Sequence, residues 1–181
     1  GPMAQFKISD EDTHQLQYNL IRSHSSGMGN PLPAAEVKAS MLARLNTLSL
    51  GNSGVHPSVV ILLKELINRD ITPLIFEHGG VGASGDLVQL AHLALVLISE
   101  GEVFYQGERR STKQVFELEK LEPIQVEIRE GLALMNGTSV MSGIGIVNAY
   151  KANQLTDISV KLSCAINEIV QAYDDHFSEV L

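Results

Sequence analysis

Four glycines within seven residues, Gly79, Gly80, Gly82 and Gly85, run into a stretch from Leu87 to Ile98 that is apolar at nearly every position. This junction limits the possible folds more than any other feature of the chain. Glycine adopts positive φ at little steric cost, so the first segment reads as a loop of unusual backbone freedom. The second reads as a helix opened by Asp86 and running to about Ser99. A helix apolar on every face must be surrounded by other elements. The flanking sequence supplies them. Ser9, Asp10, Glu11 and Asp12 form a capping cluster ahead of Leu16, Leu20 and Ile21, which predicts a helix over 10–26 ended by Gly27, Gly29 and Pro31. Pro33 starts a second helix with Val37, Met41, Leu42 and Leu45 on one face, and Gly51 to Gly54 is a turn. Pro57 opens a third helix through Val60, Leu63 and Ile67. Residues 71–85 break the pattern, and Pro73 argues against a central strand. Residues 102–110 predict a hairpin turning at Gln106-Gly107, 112–120 a short charged helix, and 138–180 one or two long helices in which Gly143 and Gly145 suggest close packing. The expected fold class is mainly α, a helical bundle with a small β-hairpin.

Charge narrows the function. The net charge of −8 is wrong for phosphate-backbone binding, and Arg109-Arg110 is too small a basic patch to reverse that, so no nucleic-acid partner is expected. The longest clean apolar run, Leu93 to Ile98, is far short of a membrane span. A single cysteine, Cys164, rules out an internal disulfide and suits a reducing, cytoplasmic setting. Its neighbours Leu162, Ile166 and Ile169 predict that it is a buried small hydrophobe. Residues 1–3 read as a tag remnant, and 4–181 as a single domain.

Three chemistries compete for the glycine-rich loop. Gly80-Val81-Gly82-Ala83-Ser84-Gly85 formally fits G-x-G-x-x-G, with Glu100 or Glu102 as the distant acid. That fingerprint requires a βαβ unit, and the residues before it read as helices. A serine nucleophile elbow requires glycine where Asp86 stands. Covalent self-processing meets neither objection. In a tight Ala83-Ser84-Gly85 turn, attack of the Gly85 nitrogen on the Ala83 carbonyl closes a five-membered ring. Loss of two waters, one from Ser84, then leaves a 4-methylidene-imidazole-5-one. Small residues let the backbone compress, and the following helix N-terminus favours negative charge on the ring oxygen.

Val81-Gly82-Ala83-Ser84-Gly85-Asp86-Leu87, followed by Leu90-Ala91-His92, resembles the core signature of the histidine, phenylalanine and tyrosine ammonia-lyases and their related aminomutases. Other blocks resemble the same family: Leu16-Gln17 through Asn19-Leu20-Ile21 and Ser23-His24-Ser25, then Gly27 and Gly29; Arg44-Leu45-Asn46-Thr47-Leu48 with Ser53-Gly54-Val55; and Leu132-Ala133-Leu134-Met135-Asn136-Gly137-Thr138. The resemblance implies a partial ammonia-lyase fold with the prosthetic-group loop at 79–86. It also implies that Ala83, Ser84 and Gly85 become the methylidene-imidazolone, with no metal. Asp86 matches the acidic residue that follows the triad and assists cyclisation in this reading; a plain N-cap is the alternative, and both can hold together. Asn136 matches the asparagine that contacts prosthetic group and substrate, against a local role as a helix-capping Asn before Gly137. Ser23 and His24 match the pair facing the substrate side chain. Ser-His resembles the histidine lyases, and a His suits a polar ring such as imidazole or phenol. The remaining histidines show no metal spacing. His92 reads as a core hydrogen bonder, and Asp174-Asp175-His176 as a solvated helix end.

The resemblance also implies a longer, homo-oligomeric enzyme. Its catalytic tyrosine would belong ahead of Leu16-Gln17, and its carboxylate anchor and general base beyond Leu181. The expected function is part of an ammonia-lyase acting on an aromatic amino acid, histidine first and tyrosine next, with this stretch inactive alone. The alternatives are a fragment of an aminomutase on the same scaffold, or a non-catalytic helical oligomerisation module that self-associates through exposed apolar faces.

Overall fold

A computed structural model describes residues 10–173 together with Asp175, Ser178 and Glu179; side chains are described from Asp12 onward. Ser9 of the capping cluster, Asp174 and His176 lie outside the described residues. The chain divides into two compact units, Gly1–Gly145 and Ile146–Leu181.

The first unit is built around the apolar helix. In chain order it comprises α1 (Asp10–His24), β1 (Met28–Pro31), α2 (Ala34–Ser49), α3 (Pro57–Asn68), β2 (Thr72–Pro73), β3 (Phe76–His78), α4 (Leu87–Leu97), β4 (Glu102–Tyr105), β5 (Glu108–Ser111), α5 (Thr112–Glu119) and α6 (Glu130–Met135), followed by the first turns of α7 (Ser139–Ile169). The mainly helical fold with one small hairpin is the architecture expected from the sequence.

α4 packs against α1, α3, α6 and β2. Its Leu90, Ala91, Leu93, Ala94, Val96 and Leu97 are all buried. Each of the large side chains among them contributes about 1.5–3 kcal/mol on burial. Gln89, the polar residue of the helix's first turn, is buried too. α2 buries Val37, Met41, Arg44 and Leu48, so Leu42, expected on that face, lies outside the stripe and is 59% exposed. α3 starts on Pro57, with the His56 side chain capping the Ser58 N–H, and buries Val59, Leu62, Leu63 and Leu66. Val60 and Ile67 are half-buried beside them.

The sheets are small. β4 lies between β2 and β5, and all pairs are antiparallel. Pro73 therefore sits in an edge strand, where its missing N–H costs no ladder bond. The β4–β5 turn uses Gln106 at φ 52° and Gly107 at φ 82°, which matches the right-handed twist of a two-residue hairpin. The segment 71–85, expected to be loop throughout, contains β2 and β3; β3 pairs with β1 antiparallel, with a shift in register between Met28 and Pro31. That pairing brings the end of α1 beside the start of the glycine-rich loop.

Gly143 of α7 bears out close packing: a Cβ there would stand 2.4 Å from the Ser40 nitrogen of α2. A Cβ on Gly145 would meet open space, so that glycine has no packing role.

The second unit consists of the rest of α7 and the residues after it. Leu155, Ile158, Leu162, Ile166 and Ile169, spaced by three and four, form one exposed apolar stripe. Cys164 is exposed, not buried as its apolar neighbours suggested. The pattern is that of a helix with a buried face, although these residues are exposed. No described helix is long and apolar enough to cross a membrane.

Candidate active site

The glycine-rich loop ends where two separate parts of the chain meet. Gly85 forms a parallel bridge with Gly137, in the turn between α6 and α7. The Asp86 N–H donates to the Gly137 carbonyl at 2.7 Å, and the Leu90 N–H donates to the Asp86 carbonyl at 2.9 Å, which begins α4. Gly85 has φ 76°, and a Cβ on it would lie 2.1 Å from the Gly137 oxygen. Only glycine fits there. Ala83 and Ser84, just before it, are exposed.

Asp86 occupies the N-cap position of α4, yet its side chain does not cap that helix. Its Oδ2 instead accepts from the Val140 and Met141 N–H groups, at 2.8 and 2.9 Å. These are orphan donors of the first turn of α7, so the carboxylate caps a helix 54 positions away in sequence. A negative charge there is favoured by the α7 dipole. The plain side-chain N-cap, the alternative weighed for Asp86 from the sequence, is thus replaced by a cap across space.

Arg44, seen in the sequence only as part of a block, is the largest of the fully buried side chains and sits behind this junction. Its Nη2 donates to the Ala133 and Leu134 carbonyls, at 2.5 and 3.0 Å. Its Nη1 lies against the Gly137 Cα side, where a Cβ would come within 2.4 Å. Burial pushes the Arg44 guanidinium below its ordinary range, and the nearby Asp86 charge opposes that shift.

Two clefts flank the junction. One, of 290 Å³, is lined by Leu32, Gly82, Gly85, Asp86, Gln89 and Met141, among others. The other, of 180 Å³, is lined by Arg44, Thr47, Ser53, Asn136, Gly137 and Ser139, among others. Asn136 is exposed and is the C-cap residue of α6, directly before the bridging Gly137.

Ser23 and His24 line neither cleft. They end α1, and their hydrogen bonds among the described residues run locally. Ser23 Oγ donates to the Leu20 carbonyl at 2.9 Å and lies 3.1 Å from His24 Nδ1. His24 Nδ1 also lies 2.9 Å from the Leu20 carbonyl. A carbonyl only accepts, so this geometry puts the proton on Nδ1 and leaves Nε2 as the ring's other polar atom. The chain then passes Gly27, whose N–H donates to His92 Nε2 at 3.1 Å. His92 is half-buried, stands edge-on to Phe76, and is held below its ordinary range by desolvation. It is the hydrogen bonder expected from the sequence. The structure therefore brings Gly85, Asp86 and Asn136-Gly137 together, and holds Ser23 and His24 at the neighbouring helix end.

The residues present fit a cyclised Ala-Ser-Gly group. The triad is exposed at the mouth of a helix N-terminus, and its last residue is a glycine pressed against another backbone. No His, Cys, Asp and Glu cluster suited to a metal occurs among the described residues.

The chain is similar to known proteins in sequence and in fold. The aromatic amino acid lyase family pattern matches residues 1–181. A histidine ammonia-lyase of Stigmatella aurantiaca is 46% identical over 159 residues, covering 88% of this chain and 31% of that protein. The solved histidine ammonia-lyase of Trypanosoma cruzi superposes with a TM-score of 0.83 at 32% identity, covering 96% of this chain and 34% of that one. A tyrosine aminomutase from Streptomyces globisporus superposes with a TM-score of 0.74 at 42% identity, covering 80% of this chain and 27% of that one. The chain thus spans about a third of the length of the curated relatives it matches. With the family pattern matched over residues 1–181, the chain belongs to the aromatic amino acid lyase family.

Proposed function

We propose that the protein containing these residues is an ammonia-lyase acting on an aromatic amino acid, with histidine favoured and tyrosine next. The net reaction removes ammonia and a β-proton and leaves an α,β-unsaturated acid. The observation that carries this reading is the pinned loop: Ala83-Ser84-Gly85 is exposed on one side, while Gly85 bridges Gly137 and Asp86 is tied to both α4 and α7. A backbone held this tightly supports cyclisation to a 4-methylidene-imidazole-5-one. Once formed, that group supplies an electrophile toward a substrate amine, which ordinary side chains lack.

The chain's own residues do the rest of what this stretch contributes. Asp86 fixes the helix ends on either side of the loop and assists cyclisation. Asn136 hydrogen-bonds the processed loop and the substrate in this reading, which its position one residue from the bridge supports. Ser23 and His24 bind the substrate's ring, His24 through Nε2, which as an acceptor favours an imidazole N–H or a phenol O–H over bare phenyl. The identity to histidine ammonia-lyases supports histidine as the substrate. The complete enzyme is a cytoplasmic homo-oligomer in this reading; the uncovered α7 stripe supports association.

A second reading, an aminomutase on the same scaffold, is favoured by the likeness to the tyrosine aminomutase. Accumulation of β-amino acid would select it over the lyase. A third, a helical module that only associates, rests on the α7 stripe alone.

The test is the mass of the peptide spanning Ala83–Gly85 from the purified complete protein. A deficit of two waters that disappears in Ser84→Ala, with release of an unsaturated acid from histidine, is the expected result. An unmodified peptide in active protein would overturn the mechanism.

A further inference from the structure

We propose that Arg44 is a positioning residue for processing of the loop: it locks the end of α6 so that Gly137 is held against Gly85 and Asp86. The inference rests on the function proposed above and adds a residue to it.

Arg44 holds a charge where burial is costly. Arg44 is 2% exposed, shares the buried face of α2 with Met41 and Leu48, and makes its hydrogen bonds to carbonyls, with no carboxylate in hydrogen-bond contact among the described residues. A buried guanidinium is tolerated where its donors are used. Nε has no hydrogen-bond partner among the described residues, and the hydrogen bonds that are made go to one place. Nη2 donates to both Ala133 and Leu134, the last carbonyls of α6 before Met135 and the Asn136-Gly137 turn. Positive charge at a helix C-terminus is also favoured by the helix dipole. The opposite end of the same short helix is fixed as firmly. The Gly131 N–H donates to Gln17 Oε1 at 3.2 Å, and the Glu130 carboxylate accepts from the His56 and Glu127 N–H groups, at 2.5 and 2.8 Å.

A helix of six residues pinned at both ends acts as a strut. Its far end carries Gly137, whose carbonyl receives the Asp86 N–H and whose backbone would collide with any side chain at position 85. Arg44 Nη1 lies on the other side of Gly137, so the glycine is held between the guanidinium and the loop. Without the guanidinium, Ala133 and Leu134 lose their partner and the strut's end is free to withdraw. The pressure on Ala83-Ser84-Gly85 then relaxes.

The experiment compares the complete protein with Arg44→Met, Arg44→Lys and Leu66→Ala. Leu66 is fully buried in α3 and outside the strut, so its truncation lowers stability without touching the loop. Peptide mass spectrometry follows the fraction lacking two waters against time after purification, and far-UV circular dichroism and melting temperature follow the fold. In Arg44→Met, processing should slow about tenfold or more, since one hydrogen bond to a charged group is worth at least that factor in a rate. Arg44→Lys, which keeps the charge and one donor direction, should recover part of the rate. Leu66→Ala should process at the wild-type rate despite a comparable loss of stability. Should Arg44→Met fail to fold, Arg44→Lys against Leu66→Ala carries the same comparison. Wild-type rates in the folded Arg44 variants, or equal slowing in Leu66→Ala, overturn the positioning role while leaving the proposed function intact. An unprocessed wild type overturns both.

Discussion

Asp86→Ala should destabilise the first unit more than an ordinary cap replacement does. The carboxylate accepts two backbone N–H groups of α7 through one oxygen, at 2.8 and 2.9 Å. Losing an N-cap acceptor costs about 0.5–2 kcal/mol, and hydrogen bonds to a charged group contribute about 1.5–3 kcal/mol each. Two bonds sharing one oxygen of a half-buried group therefore amount to about 3 kcal/mol. At this chain length that corresponds to a fall of about 6–12 °C in melting temperature. Asp86→Asn keeps an acceptor and loses the charge, so its cost is about 1 kcal/mol, chiefly the helix-dipole contribution. Urea unfolding followed by circular dichroism measures both, with the slope checked for constancy so that midpoints report stability. An Asp86→Ala midpoint equal to wild type would refute the cap across space. Equal losses in the Ala and Asn variants would assign the effect to charge alone and remove the hydrogen-bond argument.

The two glycines of α7 should respond oppositely. Gly143→Val drives a side chain into the Ser40 backbone and should cost at least about 1–3 kcal/mol, whereas Gly145→Ala faces open space and should stabilise by about 0.5–1 kcal/mol; thermal melts of both check this. The His92 ring accepts from Gly27, and desolvation lowers its folded pKa below the unfolded value of 6.5. Its contribution to stability is therefore present above pH 6.5 and falls away as the pH drops through 6.5 toward the lower folded value. Urea midpoints between pH 8 and pH 5 should fall more steeply for wild type than for His92→Asn; parallel curves would remove His92 as the cause. The 181-residue chain should self-associate through the α7 stripe, and Ile158→Lys with Leu162→Lys should weaken this in sedimentation velocity. A strictly monomeric wild-type profile would count against it.

The helices were legible because their signals are local. Pro57 at the start of α3, the apolar periodicity of α4 and the Gln106-Gly107 turn each act within a few residues. β1 and β3 were not, since strands of four and three residues are too short to show alternation and exist by pairing with each other. The triad and its neighbours Asp86 and Asn136 were readable from motif resemblance, but what Asp86 does with its carboxylate was not. Its partners lie on α7, and no local rule points so far along the chain. Arg44 left a trace: it falls in the stripe of Val37, Met41 and Leu48, and a charged residue at a core position has to be held by something buried. Cys164 misled for a related reason. Periodicity shows that a helix has an apolar face and is silent on whether this chain covers it.

The Gly85–Gly137 bridge also sets an order of events. In the proposed function the loop cannot be squeezed until the segment 54 positions downstream of Asp86 has been synthesised, has formed α6 and the start of α7, and has docked. Closing so long a loop is entropically slow compared with forming the individual helices. The covalent change at Ser84 would then come after tertiary assembly, and a cyclised triad would serve as a permanent stamp on molecules that had once reached the native topology. Chains that misfolded before that point would carry an ordinary serine and could be counted by it.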